Sequence, residues 1–411
     1  MEVFASLYPP LAKRTPIPVL YQPFTFALSL TPFFFRSRRA AALLTLPFIF
    51  AFCLRAPFYT FGNESADYYS TSFFIALPIW FVEFTILTPQ DGPNELVYFG
   101  NETKTKEEKG DGQRWRDLRS YRDRLFWAFS LMVPSHRGIG WNWQVKNVHS
   151  DPDHNLQKWA YVKKHLMISV RAYVCSMFCL MLLGWTSAVE ERLPSNRSFS
   201  FWIANSLIGW SGATWVWYRL SCFYSFMASL SVALGVCEIW QWPPIMGNLR
   251  DAWSVRQMWS VVYHQTMRKM VSQPALRITR LLGLPKGSLT SRYSQLYLSF
   301  FFSCVVHQFQ MFNVTRKDMG EFMFFMSQPV AIMLEDFIQW LSRHGQRPLE
   351  NPETRSINRK RVIGYMWVIL WFSISLPIYV KGCKDARILR DAIFGDRPFE
   401  IGVRAASIIH G

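Results

Sequence analysis

The sequence predicts an all-α protein, a polytopic transmembrane helix bundle of about eight or nine spans. Three observations predict it. Hydrophobic residues fill 50% of the 411 positions and aromatic residues 17%. Apolar runs of bilayer length recur along the chain, which excludes a soluble globule. The formal net charge of +17 sits mostly in the links between runs, where Lys and Arg set orientation in a membrane rather than contact nucleic acid. One sizeable loop interrupts the pattern, so a single membrane domain is expected.

Taken in order, the N-terminal transmembrane part is 1–90, with spans at 17–35, 40–60 and 69–89. Arg36, Arg38 and Arg39 point the first link to the cytosol. The link Gly62–Asp67 carries only acids, so it is expected in the lumen, where Asn63-Glu-Ser could accept a glycan. Residues 91–165 then form a cytosolic loop, and the Asn101-Glu-Thr match there is expected to stay unmodified. Within the loop lies Arg137–Val148, RGIGWNWQVKNV, with two glycines for tight turns. Trp141 and Trp143 are expected to anchor the segment at the membrane interface.

Spans resume at 167–189, 199–219 and 222–242. The count does not close there. Residues 243–292 hold eight Lys or Arg against one acid, Asp251, and belong in the cytosol with 91–165. An even number of crossings must separate the two, so one run is expected to be re-entrant, interfacial or a buried half-helix. Spans at 293–314 and 320–341 lead to a basic link, 342–361, with Arg343, Arg347, Arg355, Arg359, Lys360 and Arg361. A last span at 362–380 precedes a C-terminal tail, 386–411. Seven scattered cysteines show no Cys-x-x-Cys or Cys/His spacing, so neither a disulfide framework nor a metal site is expected. Met1–Leu11 lacks the pattern of a cleavable signal peptide. A multi-pass protein of the endoplasmic reticulum membrane is the expected location.

The chemistry centres on His307, inside the uncharged run Tyr293–Val314. An ionisable residue within a span usually faces a bundle interior or a wet cavity. Ser299, Ser303, His307 and Gln310 fall at spacings that place them on one helical face. A second constellation precedes it. Asn248–Val271 reads as one amphipathic helix, with Arg256, Ser260, His264 and Arg268 at i+4 steps on its polar face.

Three segments resemble a known family. RGIGWNWQVKN is similar to a stretch found in fungal wax-synthase-like proteins of the membrane-bound O-acyltransferase superfamily. Ser254, Arg256, Trp259, Tyr263, His264 and Gln265 follow that family's S-x-R-x-x-W-x-x-x-W-H-Q pattern, with Tyr263 in place of the usual tryptophan. His307 follows 43 residues after His264, as Ser303-Cys-Val-Val-His307-Gln308. The family often has a glycine after the small residue and a glutamate after the histidine. The resemblance covers about 137–310.

It implies an acyltransferase core at 166–385 that uses acetyl-CoA as co-substrate, with no tightly bound cofactor. The implied acceptor is a hydroxyl of a terpenoid or meroterpenoid alcohol, and the lipid bilayer and acyl-CoA are the implied partners. The resemblance makes His307 the general base, a role its chemistry suits. A neutral imidazole, with an ordinary pKa of about 6.5, accepts a hydroxyl proton near working pH. His264 is expected as an oxyanion donor or acyl-CoA-orienting group. Trp259, Tyr263 and Gln265 stand beside it, Arg256 and Arg268 would meet CoA phosphates, and Ser303 and Gln310 would fix the His307 ring or hold the acceptor. With no GxSxG nucleophile motif, direct transfer in a ternary complex is expected rather than an acyl-enzyme.

Other classes stay open at this point. A prenyltransferase would need paired Asp-rich motifs for Mg²⁺-diphosphate, and none is present. A terpene cyclase would draw on Glu83, Glu238 or Glu335–Asp336. A transporter would suit intramembrane His and acids, although no duplicated halves are visible. A long-chain wax-ester type of acyltransferase differs only in donor length.

Overall fold

The computed structural model describes residues 5–100, 112–132, 137–149, 151–193, 198–344 and 354–410. The Asn101 match and Arg347 lie outside these residues, as do the side chains of Arg343, Arg355, Arg359 and Lys360. The longer helices are α1 Tyr21–Leu30, α2 Arg38–Leu54, α3 Glu64–Phe81, α4 Tyr121–Met132, α5 Lys158–Arg192, α6 Phe199–Ala233, α7 Arg268–Leu281, α8 Leu289–Thr315, α9 Glu321–His344, α10 Thr354–Asp385 and α11 Arg397–His410. Among the described residues, strand is confined to two short pairs, β1 Thr15–Pro16 with β2 Tyr59–Thr60, and β3 Val97–Tyr98 with β4 Gln113–Arg114. Among the described residues, four helical stretches are long and apolar enough to cross a membrane: Arg38–Phe58, Glu64–Leu87, Lys158–Arg192 and Arg361–Asp385. The chain divides into two compact units.

The first unit comprises Met1–Lys146 and Thr266–Asp318. The expected span 17–35 is shortened to α1 and a 3₁₀ turn, Thr31–Phe34, because Pro32 opens that tighter turn and Phe35 is extended. Ser37 caps α2, and Asn63 caps α3 by accepting from the Ala66 amide at 2.9 Å. Glu64 and Asp67 in the first turn of α3 suit its positive end. Past Phe81 the helix widens into a π-turn, Val82–Leu87. Phe33, Ile49, Phe74, Phe81, Phe84, Trp127 and Trp141 form a common core.

Polar contacts define two ends of this unit. At one end Arg14 donates to the carbonyls of Tyr59 and Asn313, and Arg316 donates to that of Pro57. At the other, the Trp115 indole donates to Phe33, and buried Arg38 donates to Thr88 and Pro89. Residues 14–34 therefore run from one end to the other.

The expectation for Trp141 and Trp143 is corrected here. Trp141 is 4% exposed and packs against Tyr98, Trp127 and Trp143, while half-buried Trp143 packs on Trp80 and Phe84. They are interior rings, set tilted or edge-on against other aromatics, an arrangement that buries ring area a membrane interface would leave wet. The turn reading of the glycines does describe the backbone: Gly138 and Gly140 have φ of +67° and +78°.

The second unit comprises Asn147–Gln265 and Met319–Gly411. Here the runs 199–219 and 222–242 form one helix, α6, which ends at Ala233 before a left-handed Gly235. Two helices, α5 and α6, thus occupy the interval read as three spans. Helix α5 packs against α6 and α11, and α10 against α6 and α9. The α5–α11 approach depends on small residues. A Cβ at Gly184 would overlap the Phe399 carbonyl, and one at Gly402 would overlap that of Met181.

Candidate active site

In the first unit, α8 presents His307 to α3. The His307 Nδ1 lies 2.9 Å from the Tyr68 hydroxyl. Near one turn on, Gln310 donates Nε2 to the Tyr68 carbonyl at 3.4 Å. Gln310 is 5% exposed, and its Oε1 has no hydrogen-bond partner among the described residues. A buried acceptor of this kind beside a histidine leaves room for one further hydrogen bond. His307 and Ser303 are half-buried on the same helix. Ser299, a turn further back, spends its hydroxyl on the Gln295 carbonyl of its own helix.

Tyr68 is held by its neighbour. Asp67, 2% exposed, pairs with Arg14 at 2.8 Å and accepts from the Thr60 hydroxyl and the Phe61 amide. Arg14 also donates to the Asn313 carbonyl on α8, which ties the two helices together beside the histidine. Removing one partner of such a buried pair typically costs about 3–5 kcal/mol. Sequence reasoning missed Tyr68, Asp67 and Arg14. Their only signal in the sequence is an acid at the head of an apolar run, which also serves as ordinary helix-start chemistry.

The second constellation lies in the second unit, and the continuous helix expected over 248–271 is not formed. Leu249–Asp251 is a 3₁₀ turn capped by Asn248, Val255–Gln257 a single helical turn, and Met258–Val262 a π-turn. Tyr263 is extended, and α7 begins only at Arg268. The i+4 stripe of Arg256, Ser260, His264 and Arg268 is therefore broken. Gln265 breaks it by folding back, its side-chain amide donating to the carbonyls of Tyr263 at 2.6 Å and Trp259 at 3.1 Å.

The motif residues brace this loop. The Ser254 hydroxyl accepts from the Gln257 amide. Glu335 on α9 accepts from the amides of Val255 and Arg256 and from the Trp367 indole. The Arg256 guanidinium is paired with Asp336 at 2.5 Å. Fully buried Gln328 accepts the indoles of Trp259 at 3.2 Å and Trp371 at 3.1 Å. Asn147 reaches the Ser260 carbonyl, and Gly247 lies so close to His149 and Val261 that no Cβ fits. What the bracing presents is Tyr263 and His264, whose rings sit 4.4 Å apart, with Tyr263 also against Trp259 and Trp217. Burial pushes the Tyr263 phenol up. In the first unit, Arg268 donates to the Lys146 carbonyl at 3.3 Å.

The acids weighed for a cyclase are engaged elsewhere. Glu83 forms a two-pronged pair with Arg277, Glu335 serves the loop amides, and Glu238 accepts the Trp240 indole.

A helical protein with membrane-length apolar segments and a histidine on an internal polar face fits membrane acyl transfer. Comparison with known proteins agrees. Residues 242–327 match the Membrane bound O-acyl transferase family, a segment that holds both His264 and His307. The chain is similar to Acetyltransferase ple2 of Rhodocybe pseudopiperita, at 28% identity over 80% of this chain and 81% of the relative. It is similar to Acetyltransferase aurG of Calcarisporium arbuscula, at 33% identity over 40% of each chain. It is also similar to O-Mevalon transferase macI of Penicillium terrestre, at 27% identity over 64% of this chain and 63% of the relative. No solved structure matches it. The protein is an O-acyltransferase.

Proposed function

We propose that the protein transfers an acetyl group from acetyl-CoA to a hydroxyl of a terpenoid-type alcohol, with His307 as general base. The observation that carries this reading is the His307–Tyr68 contact beside the unmet Gln310 oxygen. With Nδ1–H donating to the Tyr68 oxygen, the ring lone pair sits on Nε2. The acceptor hydroxyl, its oxygen held by a hydrogen bond from the Ser303 hydroxyl, gives its one proton to Nε2 as that oxygen attacks the thioester carbonyl, while Gln310 Oε1 is left to accept from another polar hydrogen of the substrate. The C–S bond then breaks, and the imidazolium returns the proton to the departing thiolate. His264 serves the acyl-CoA end, as an oxyanion donor or an orienting group. Arg268 and Arg256, the latter paired with Asp336, are the phosphate contacts of this reading. The names of the O-mevalon transferases favour a second reading, a larger acyl group on the same machinery.

Membranes carrying the protein should transfer label from acetyl-CoA to a panel of terpenoid alcohols. Tyr68→Phe should lower turnover by about tenfold while leaving the KM for acetyl-CoA unchanged, because it removes orientation of the base, not donor contacts. Transfer of longer acyl groups but not acetyl would select the second reading. No transfer of any acyl group, from protein that stays monodisperse, would overturn both.

For the membrane arrangement we propose eight crossings, by residues 21–34 and by α2, α3, α5, α6, α8, α9 and α10, in the endoplasmic reticulum. The alternation of basic links supports it. So do the contacts of Arg14 and Arg316, which gather residues 14, 57–59 and 313–316 at one end of the first unit. That end is assigned to the lumen, with Asn63 exposed there for glycosylation. On a background lacking the seven cysteines, Lys286→Cys in sealed microsomes should react with an impermeant maleimide, and Lys317→Cys should be protected. The reverse pattern would sink this orientation.

A further inference from the structure

In the first unit a pocket of about 290 Å³ lies between α2, α3 and α7. It is built by helix irregularities. The π-turn starting at Val82 and two prolines inside helices, Pro78 of α3 and Pro274 of α7, all line it. Each interrupts a hydrogen-bond ladder and keeps neighbouring helices from closing. The walls are apolar, with Phe50, Ile75, Ile79 and Leu87 prominent. Phe50 and Leu87 are both 42% exposed and belong to segments long and apolar enough to cross a membrane, so the pocket opens on a side that lipids reach.

One lining residue is a buried cation. Lys269 is 7% exposed and makes no hydrogen bond or ion pair among the described residues. Its ammonium rests over the rings of Trp143 at 4.1 Å and Phe84 at 5.0 Å. Ring faces stabilise a cation but supply no anion, and buried lysines are ordinarily paired. The nearby carboxylate, Glu83, is matched by Arg277 through two hydrogen bonds of 3.1 and 2.9 Å. One positive charge is left over. Burial draws the Lys269 pKa down to about 8 while Glu83 pulls it up, so the group still carries its proton at neutral pH.

We propose that this pocket binds a medium-chain amphipathic carboxylate from the bilayer, its chain among Phe50, Ile79 and Leu87 and its head on Lys269. One leftover charge suits a monoanion. The volume, near the lower end of the roughly 300–1,000 Å³ of small-molecule sites, suits a single chain and not a two-chain lipid. None of Tyr68, Ser303, His307 and Gln310 lines this pocket, and its test does not depend on acetyl transfer.

The full-length protein in phosphatidylcholine nanodiscs is titrated with radiolabelled dodecanoate, with dodecanol and phosphatidylglycerol as competitors. Saturable binding at one site per protein is expected, with dodecanol weaker by about tenfold or more, the effect of losing one charge-assisted hydrogen bond. Lys269→Met, which keeps the stem's packing, should weaken dodecanoate by a similar factor. Ile79→Trp should abolish binding by filling the pocket. Circular dichroism and monodisperse elution serve as folding checks, and if Ile79→Trp fails them, Lys269→Met and dodecanol decide the question. Equal binding of dodecanol, or no effect of Lys269→Met, overturns the proposal. So does displacement of dodecanoate by phosphatidylglycerol at equal concentration, which would make this a phospholipid-head site.

Discussion

His307→Gln should lower acetyl transfer per folded molecule by about 10²–10⁴-fold, or roughly 3–5 kcal/mol of barrier. Glutamine keeps a polar group facing Tyr68, 2.9 Å from the ring nitrogen it replaces, so the fold should tolerate the change. What it cannot do is accept and return a proton near neutral pH. A histidine that only bridged α8 to α3 would behave otherwise. Interhelical hydrogen bonds in membranes average about 0.6 kcal/mol, and activity would then fall only in step with folded protein. The measurement is turnover in microsomes divided by the amount of monodisperse protein recovered in detergent. Retention of more than about a tenth of wild-type turnover would remove His307 from the base role.

Glu335→Leu should have the next largest effect, through a different route. Three donors converge on this one carboxylate: the amides of Val255 and Arg256 and the Trp367 indole. Each buried donor left without an acceptor costs about 1–3 kcal/mol, so the loop carrying Tyr263 and His264 should reseat. A fall in thermal midpoint is expected, together with at least about a tenfold loss of turnover below it if His264 serves the acyl-CoA end. Glu335→Gln, which keeps one carbonyl acceptor, should recover part of both. A Glu335→Leu protein that is destabilised yet fully active when folded would show that His264 placement does not matter to the reaction.

These two residues differ in how visible they were. His307 was legible because a histidine inside an uncharged run, with serine and glutamine on its face, is anomalous in any bilayer setting. Glu335 was legible only as a stray acid, since its role is to receive amides eighty residues away in the chain. The 248–271 stretch misled in an instructive way. Its i+4 pattern is real, but such a stripe becomes a helical face only if every residue between keeps α geometry. The π-turn at Met258–Val262 inserts a different repeat, and the Gln265 amide captures two carbonyls. Trp141 and Trp143 failed as interface anchors for a related reason. Tryptophan suits both an interface and an aromatic core, and only the neighbours Trp127, Trp80 and Phe84 decide which.

By itself the sequence determined that this is a helical membrane protein, which face of α8 is polar, and which histidines bear watching. Apolar run length, charge placement and helical period are properties of a chain read locally, and bilayer physics acts on them directly. Only the tertiary structure decided that 199–233 is one helix, that the Ser254–Gln265 motif is a braced loop, and that Tyr68 stands against His307 with Asp67 and Arg14 behind it. Tyr68 and His307 are separated by 239 residues. No local pattern encodes such a meeting, because it follows from how α3 and α8 pack and from the buried pair that holds them in register.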